Sequence, residues 1–386
     1  MRIALLSLFL PLFLIAEPIA DIHIPVVDMN DFSNPEKQEA FLDTLFDAMA
    51  TVGFFAVRNT GVDAAVIKNA YAQSEAFFKQ DRETKMECHA ALTGGQRGFV
   101  PGETAKGYKA KDQKEFYHIG REMAPAEHEF YHIAQNIWPS QSGYRDAMLL
   151  LYSELNHYVV PLQRAIIAAI NKKTGADLPL DHLNAFTERG DILLRALYYP
   201  ALTEEQIQNL QEPLYWAAAH TDIDYLAILP FATEKGLQVE IDGEWFYVVV
   251  PEDTFIVNVG DMLENHTNGL LKSARHRVQA YEPNKDRFSM VLFVHPTDST
   301  SLAPLPACIA ASGGVQRYAP GTRQEFLWER LLELNIAPIL LEPYSKTGHA
   351  ERQLQFGRES KQVVEMLLNQ NLASPALIEA LNCAKE

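Results

Sequence analysis

The chain has 386 residues, with 33 basic against 50 acidic side chains and a formal net charge of -17. A surface this acidic excludes a nucleic-acid backbone as the main partner, because phosphate binding needs basic surface. Hydrophobic content of 47%, with 20 Phe and 15 Tyr, suffices for one large core or two small ones, and three widely spaced cysteines, Cys88, Cys308 and Cys383, make neither a disulfide framework nor a thiolate metal site.

Met1-Arg2 leads into an apolar run from Ile3 to Ala16, broken by Ser7 and Pro11. The run is too short for a stable membrane span. A basic residue, a short apolar stretch and small residues at Ala16 and Ala20 give residues 1–20 the form of a secretory signal peptide. Neither Leu14 nor Pro18 is the small residue such a cleavage site wants, so a misassigned start stays open as the other reading.

From Asp21 onward the pattern is that of a folded domain. His23 to Met29 reads as a short strand. Pro35 to Ala50 is a helix by its apolar period at Phe41, Leu42, Leu45, Phe46 and Met49. Val52 to Val57 is a strand and Val66 to Lys79 a second amphipathic helix. The stretch from Arg97 to His132 is expected to be rich in loops, with His118, His128 and His132 as surface or core histidines. Tyr144 to Lys172 is a long helix with a stripe at Met148, Leu151, Leu155, Val159, Leu162, Ile166 and Ile170, stopped by Lys172-Lys173-Thr174-Gly175.

Ile192 to Pro200 reads as a strand. Leu237, Val239 and Ile241 precede the hairpin pair Asp242-Gly243, Trp245, Tyr247 and Val249 follow it, and Phe255, Val257 and Val259 form the next strand. Short strands punctuated this way predict a sandwich or jelly roll. Gln324 to Asn335 and Glu359 to Asn369 are helices. They either pack over the barrel mouth or belong to a mobile tail.

Chemistry concentrates in three places. In His220-Thr221-Asp222 an imidazole and a carboxylate stand two residues apart, so on an extended strand they face one point. His276 follows Asp222 by 54 positions across β-structure that can bring the two together. Two His and one carboxylate on one face of an octahedron suit ferrous iron, whereas zinc more often takes a tetrahedral site. Arg287 and Ser289 share a strand face inside an apolar run, where a desolvated guanidinium needs an anion. His266 is the rival third ligand, and it precedes the Asn268-Gly269 turn.

With these elements in this order, the chain resembles the Fe(II)/2-oxoglutarate-dependent dioxygenases of the isopenicillin N synthase-like branch. The resemblance runs from about Ile24 to Pro296. It takes in His220, Asp222, His276, Arg287 and Ser289, together with Gly260-Asp261-Met262-Leu263, Asn268-Gly269 and Lys272 to Val278. It implies an α+β fold with a mainly β core, a double-stranded β-helix (jelly roll, cupin-like) flanked by helices. It divides the chain into residues 1–20, an N-terminal lobe at 21–180, a jelly-roll core at 181–300 and a helical extension at 301–386.

It also implies His220, Asp222 and His276 as iron ligands and places the distal histidine one strand after His266. Arg287, Ser289 and Tyr199 become the holders of the 2-oxoglutarate carboxylate. Leu197 stands where the family has Asn, which removes one polar contact. Tyr108, Phe116 and Tyr117 are pocket candidates, with helical packing as their other reading. The expected enzyme is a monomer that uses Fe(II), 2-oxoglutarate and O2 to hydroxylate a small-molecule substrate. Its chemistry favours the cytosol. The alternatives are a 2-oxoglutarate-independent oxidase or synthase, in which Arg287 and Ser289 hold a substrate carboxylate, and a non-catalytic cupin-like binding protein.

Overall fold

A computed structural model describes residues 19–89, 93, 95–102, 112–131, 133–208 and 215–383. The expected signal-like segment lies almost wholly outside the described residues, as do Tyr108 and His132. Among the described residues no helix is long and apolar enough to cross a membrane.

Among the described residues thirteen strands build two facing sheets. They are β1 (Asp21–His23), β2 (Val26–Asp28), β3 (Phe54–Arg58), β4 (Gly98–Val100), β5 (Glu115–Gly120), β6 (Leu193–Tyr199) and β7 (Tyr215–His220), followed by β8 (Leu226–Leu229), β9 (Leu237–Ile241), β10 (Glu244–Val249), β11 (Phe255–Val259), β12 (His276–Gln279) and β13 (Arg287–Val294). One sheet has the order β1-β10-β9-β12-β7, the other β2-β3-β11-β8-β13-β6-β5-β4.

The alternation along β13 and β6 explains the layering. Leu194, Ala196, Met290, Leu292 and Val294 turn outward into a large core shared with the flanking helices. Leu197, Tyr199 and Val291 turn inward into a smaller core between the sheets, with Trp216, Val239 and Val278 from the opposite sheet. The long helix Tyr144–Thr174 backs the eight-stranded sheet, as its apolar stripe demands, and stops at Gly175 with φ 69°.

Three expectations need correction. His23 to Met29 is two short strands in different sheets, β1 beside β10 and β2 beside β3. Pro25 between them has no N–H for a ladder and breaks the run. The Asp112 to Tyr117 stretch is not mainly loop, because Glu115 to Gly120 forms β5 and pairs with both β4 and β6. The segment from Gly260 to Val278, which the resemblance implies is a strand, a turn and a strand leading to the distal histidine, keeps its turn at Asn268-Gly269, with φ 54° and 78°, and its second strand at β12, but in place of the first strand Asp261–His266 is a short helix with Met262 and Leu263 buried.

The tail is packed. The helix Arg323–Glu333 opens with a capping box between Thr322 and Glu325. Beyond it, Leu332, Leu341, Tyr344, Val363, Leu367 and Leu377 form a separate small core.

Candidate metal centre

The two strands carrying the histidines are neighbours, and His276 on β12 pairs in register with His220 on β7. Both side chains therefore leave the sheet on the same face, and their ring centroids lie 4.4 Å apart. Asp222 follows in the turn after β7. One of its carboxylate oxygens is 3.8 Å from His220 Nε2 and the other 3.6 Å from His276 Nε2. One ligand atom from each residue falls within 4.8 Å of the others, and among the described residues this is the sole group of three or more His, Cys, Asp or Glu so arranged.

The ring orientations are set by the backbone. His220 Nδ1 lies 2.7 Å from the Ala218 carbonyl, and His276 Nδ1 lies 3.2 Å from that of Ala274. A carbonyl only accepts, so Nδ1 carries the proton and Nε2 keeps its lone pair toward Asp222. Burial, and then the facing His276, hold the His220 ring well below the usual histidine range. Burial alone would raise the Asp222 carboxyl. The positive charge that the His276 and His220 rings carry when protonated, with a 3.0 Å hydrogen bond from Asn258 Nδ2, works the other way and holds the group below its usual value. Two imidazole nitrogens and one carboxylate are the donor set for a divalent cation with open positions.

Two cavities meet at this group. The narrower is bordered by Tyr199, Leu197, Ser289 and Arg287 as well as by the three candidate ligands. Arg287 and Ser289 are buried, and the register of β13 against β6 sets Arg287 opposite Tyr199 and Ser289 opposite Leu197. The Arg287 guanidinium lies 5.0 Å from the Tyr199 ring centroid, and its Nε donates to the Glu234 carbonyl at 3.0 Å. Its Nη1 is buried without a partner among the described residues. An orphaned guanidinium nitrogen at the end of an apolar slot is the feature an incoming carboxylate would satisfy.

The wider cavity, about 420 Å3, opens over the same group. Its lining includes the polar Lys114, His118, Arg195 and His295, the apolar Leu327 and Leu331 from the helix Arg323–Glu333, and Leu334 and Ile336 from the turn after it. That size suits a small organic ligand.

Several of these residues escaped the sequence reading. His118 lines the cavity, gives Nδ1 to the Gly95 carbonyl at 2.6 Å and accepts from Arg195 Nε at 2.6 Å. Arg195 is held over the Phe116 and Phe293 rings at 4.5 and 4.9 Å. Inward alternation with Leu197 and Tyr199 on one strand, and with Phe116 on the other, is the signal that could have found both. Lys114 and Asp112 form a buried pair at 2.9 Å, and Asp112 also accepts from the Ala218 N–H on the histidine strand. Of the earlier candidates, Phe116 borders the cavity, whereas Tyr117 points to the helical side and donates to the Ile137 carbonyl. His128 is a core histidine. His266 stacks on His182 rather than joining His220.

A two-sheet jelly roll with such a group between its sheets defines the class of non-haem metal oxygenases. Comparison with known proteins gives the family. Residues 191–296 match the 2OG-Fe(II) oxygenase superfamily, and residues 24–141 match the family described as non-haem dioxygenase in morphine synthesis, N-terminal. The rice protein 2-oxoglutarate-dependent dioxygenase 11 is 28% identical over 74% of this chain and 75% of its own. A 2OG-Fe(II) oxygenase family protein of Caulobacter crescentus is 31% identical, with a TM-score of 0.69 over 81% of this chain and 99% of its own. A full-length Neurospora crassa protein, solved in complex with alpha-KG, is 25% identical, with a TM-score of 0.70 over 80% of this chain and 96% of its own.

The chain belongs to the 2OG-Fe(II) oxygenase superfamily. It is an enzyme that uses Fe(II), 2-oxoglutarate and O2 to oxidise small organic molecules.

Proposed function

We infer that this enzyme couples the oxidation of 2-oxoglutarate to hydroxylation of a small molecule with an apolar body, at an iron held by His220, Asp222 and His276. The observation that carries the assignment is the convergence of these three groups within 4.8 Å, with both Nε2 lone pairs turned inward. Bound ferrous iron supplies O2 activation, with succinate and CO2 as the products from 2-oxoglutarate.

The protein's own part is placement. The Ala218 and Ala274 carbonyls fix the histidine tautomers, and Asn258 orients the Asp222 carboxylate. Arg287, Ser289 and Tyr199 receive the far carboxylate of 2-oxoglutarate, with Leu197 as an apolar side wall. The substrate lies in the wider cavity, its apolar body against Leu327, Leu331 and Leu334 and its polar end toward Arg195 and His118. Residues 181–300 are then the catalytic core, residues 21–180 complete its sheet, and residues 301–386 close its mouth. The same reading takes the enzyme as a cytosolic monomer, which subcellular fractionation and light scattering would check.

A screen of small organic acids and alcohols for stimulated succinate release tests the function. Release that needs Fe(II), 2-oxoglutarate and an added substrate is the expected result. Substrate oxidation that proceeds without any 2-oxoglutarate would instead support the synthase-type alternative.

A further inference from the structure

The turn that carries Asp222 is gripped from the C-terminal extension. Arg330, on the helix Arg323–Glu333, donates Nη1 to the Thr221 carbonyl at 3.1 Å and Nη2 to Asp261 Oδ2 at 2.7 Å. Thr221 is the residue between His220 and Asp222. Its hydroxyl donates to the same Asp261 oxygen at 3.0 Å, and the Asp261 N–H donates to the Asp222 carbonyl at 2.8 Å. One guanidinium thus ties three points together: the extension, the turn, and the start of the helix Asp261–His266. Leu327 and Leu331, next to Arg330 on the same helix, line the wider cavity.

We propose that Arg330 is a positioning residue for the metal centre, and that the C-terminal extension is a working part of the active site through it. The inference rests on the iron reading above and goes beyond it. Removing the guanidinium frees the Thr221 carbonyl and leaves Asp261 without its cation. The His220–Asp222 turn then samples orientations in which the carboxylate and the two Nε2 atoms no longer converge. Groups that orient ligands from behind typically change metal affinity 10- to 100-fold when lost.

The test compares Arg330→Gln with Arg352→Gln. Arg352 also belongs to the extension and also bridges carbonyls and a carboxylate, those of Pro320, Thr347 and Glu325, but it touches nothing at the metal turn. Two readouts are taken. One is hydrogen–deuterium exchange of the peptide spanning 218–226 in the metal-free protein. The other is Fe(II) affinity in the presence of 2-oxoglutarate, read from the visible band of the chelate under anaerobic conditions.

Arg330→Gln is expected to speed exchange in that peptide and weaken Fe(II) binding about 10-fold, while Arg352→Gln lowers thermal stability only. Arg330→Lys should recover part of the affinity, since an ammonium can replace the charge but not both contacts. It carries the comparison if the Gln variant does not fold. Equal losses of affinity in the Arg330 and Arg352 variants, or unchanged exchange and affinity in Arg330→Gln, overturn the proposal. No band in the wild-type protein would instead defeat the iron reading, and the inference with it.

Discussion

Among the described residues two pairs of histidine rings lie against each other, and they differ in kind. His220 and His276 lie 4.4 Å apart, tilted by 52°, and each has Nδ1 committed to a backbone carbonyl. Asp222 sits between their Nε2 atoms. His182 and His266 lie 5.8 Å apart and nearly parallel at 16°. Among the described residues His182 Nε2 is buried without a hydrogen-bond partner, and the His266 ring faces the Leu302 and Ala303 backbone and packs near Phe186 and Tyr225 instead of a carboxylate. Proximity of two imidazoles is therefore not what makes a metal centre. A fixed tautomer and an acid between the lone pairs are.

The largest expected effect separates the pairs directly. Asp222→Ala or His276→Ala should abolish iron-dependent succinate release, while His182→Phe should keep Fe(II) binding within a few-fold of the parent. Substantial turnover in Asp222→Ala would break the comparison.

Acid should act on the second pair without any metal. Burial, and then the neighbouring His182, lower the His266 pKa from 6.5 to about 4. The unfolded chain then binds a proton below pH 6.5 that the folded chain refuses. Stability is full above the unfolded value and is lost as pH falls from about 6.5 toward 4, by up to about 3 kcal/mol. Denaturant titrations of the metal-free protein at several pH values, with and without His266→Leu, would show whether this histidine contributes the slope.

The anion clamp sharpens the contrast, because it too contains a buried, unpartnered nitrogen, but one facing a cavity. Arg287→Ala should raise KM for 2-oxoglutarate about 30- to 100-fold, corresponding to about 2–3 kcal/mol for a charge-assisted bond. Arg287→Lys should raise it less. An unchanged KM would remove Arg287 from the cosubstrate site.

A smaller effect is expected at Gly260, where the loop beneath the metal turn runs against Asp224. A Cβ there would stand 2.2 Å from both the carbonyl and a carboxylate oxygen of Asp224. Gly260→Ala should therefore lower stability by about 1–3 kcal/mol through overpacking, read by thermal melting.

The strands with period-two patterns, β9 to β11, were legible in the sequence, as were the apolar run of β13, the long helix and the helix Arg323–Glu333. The three residues proposed for the metal group were named from the sequence: a His-x-Asp on a strand end suggests a shared face, whereas the choice of His276 over His266 came from the family resemblance. The cavity walls were harder. Arg195 and His118 look like ordinary strand polar residues until β5 is known to pair with β6, which depends on contacts far apart in the chain. For residues 301–386 the sequence left two readings open, packing over the barrel mouth and a mobile tail. A helical period reveals that Leu327 and Leu331 share a stripe, but only the packed chain puts that stripe over the metal turn, with Arg330 beside it.

The most direct test of the central claim is an anaerobic titration of the protein with Fe(II) and 2-oxoglutarate, followed in the visible range. The account predicts a weak charge-transfer band that needs both additions, saturates at one iron per chain and is absent from Asp222→Ala. A band of equal strength in Asp222→Ala, or none in the parent protein, would contradict it.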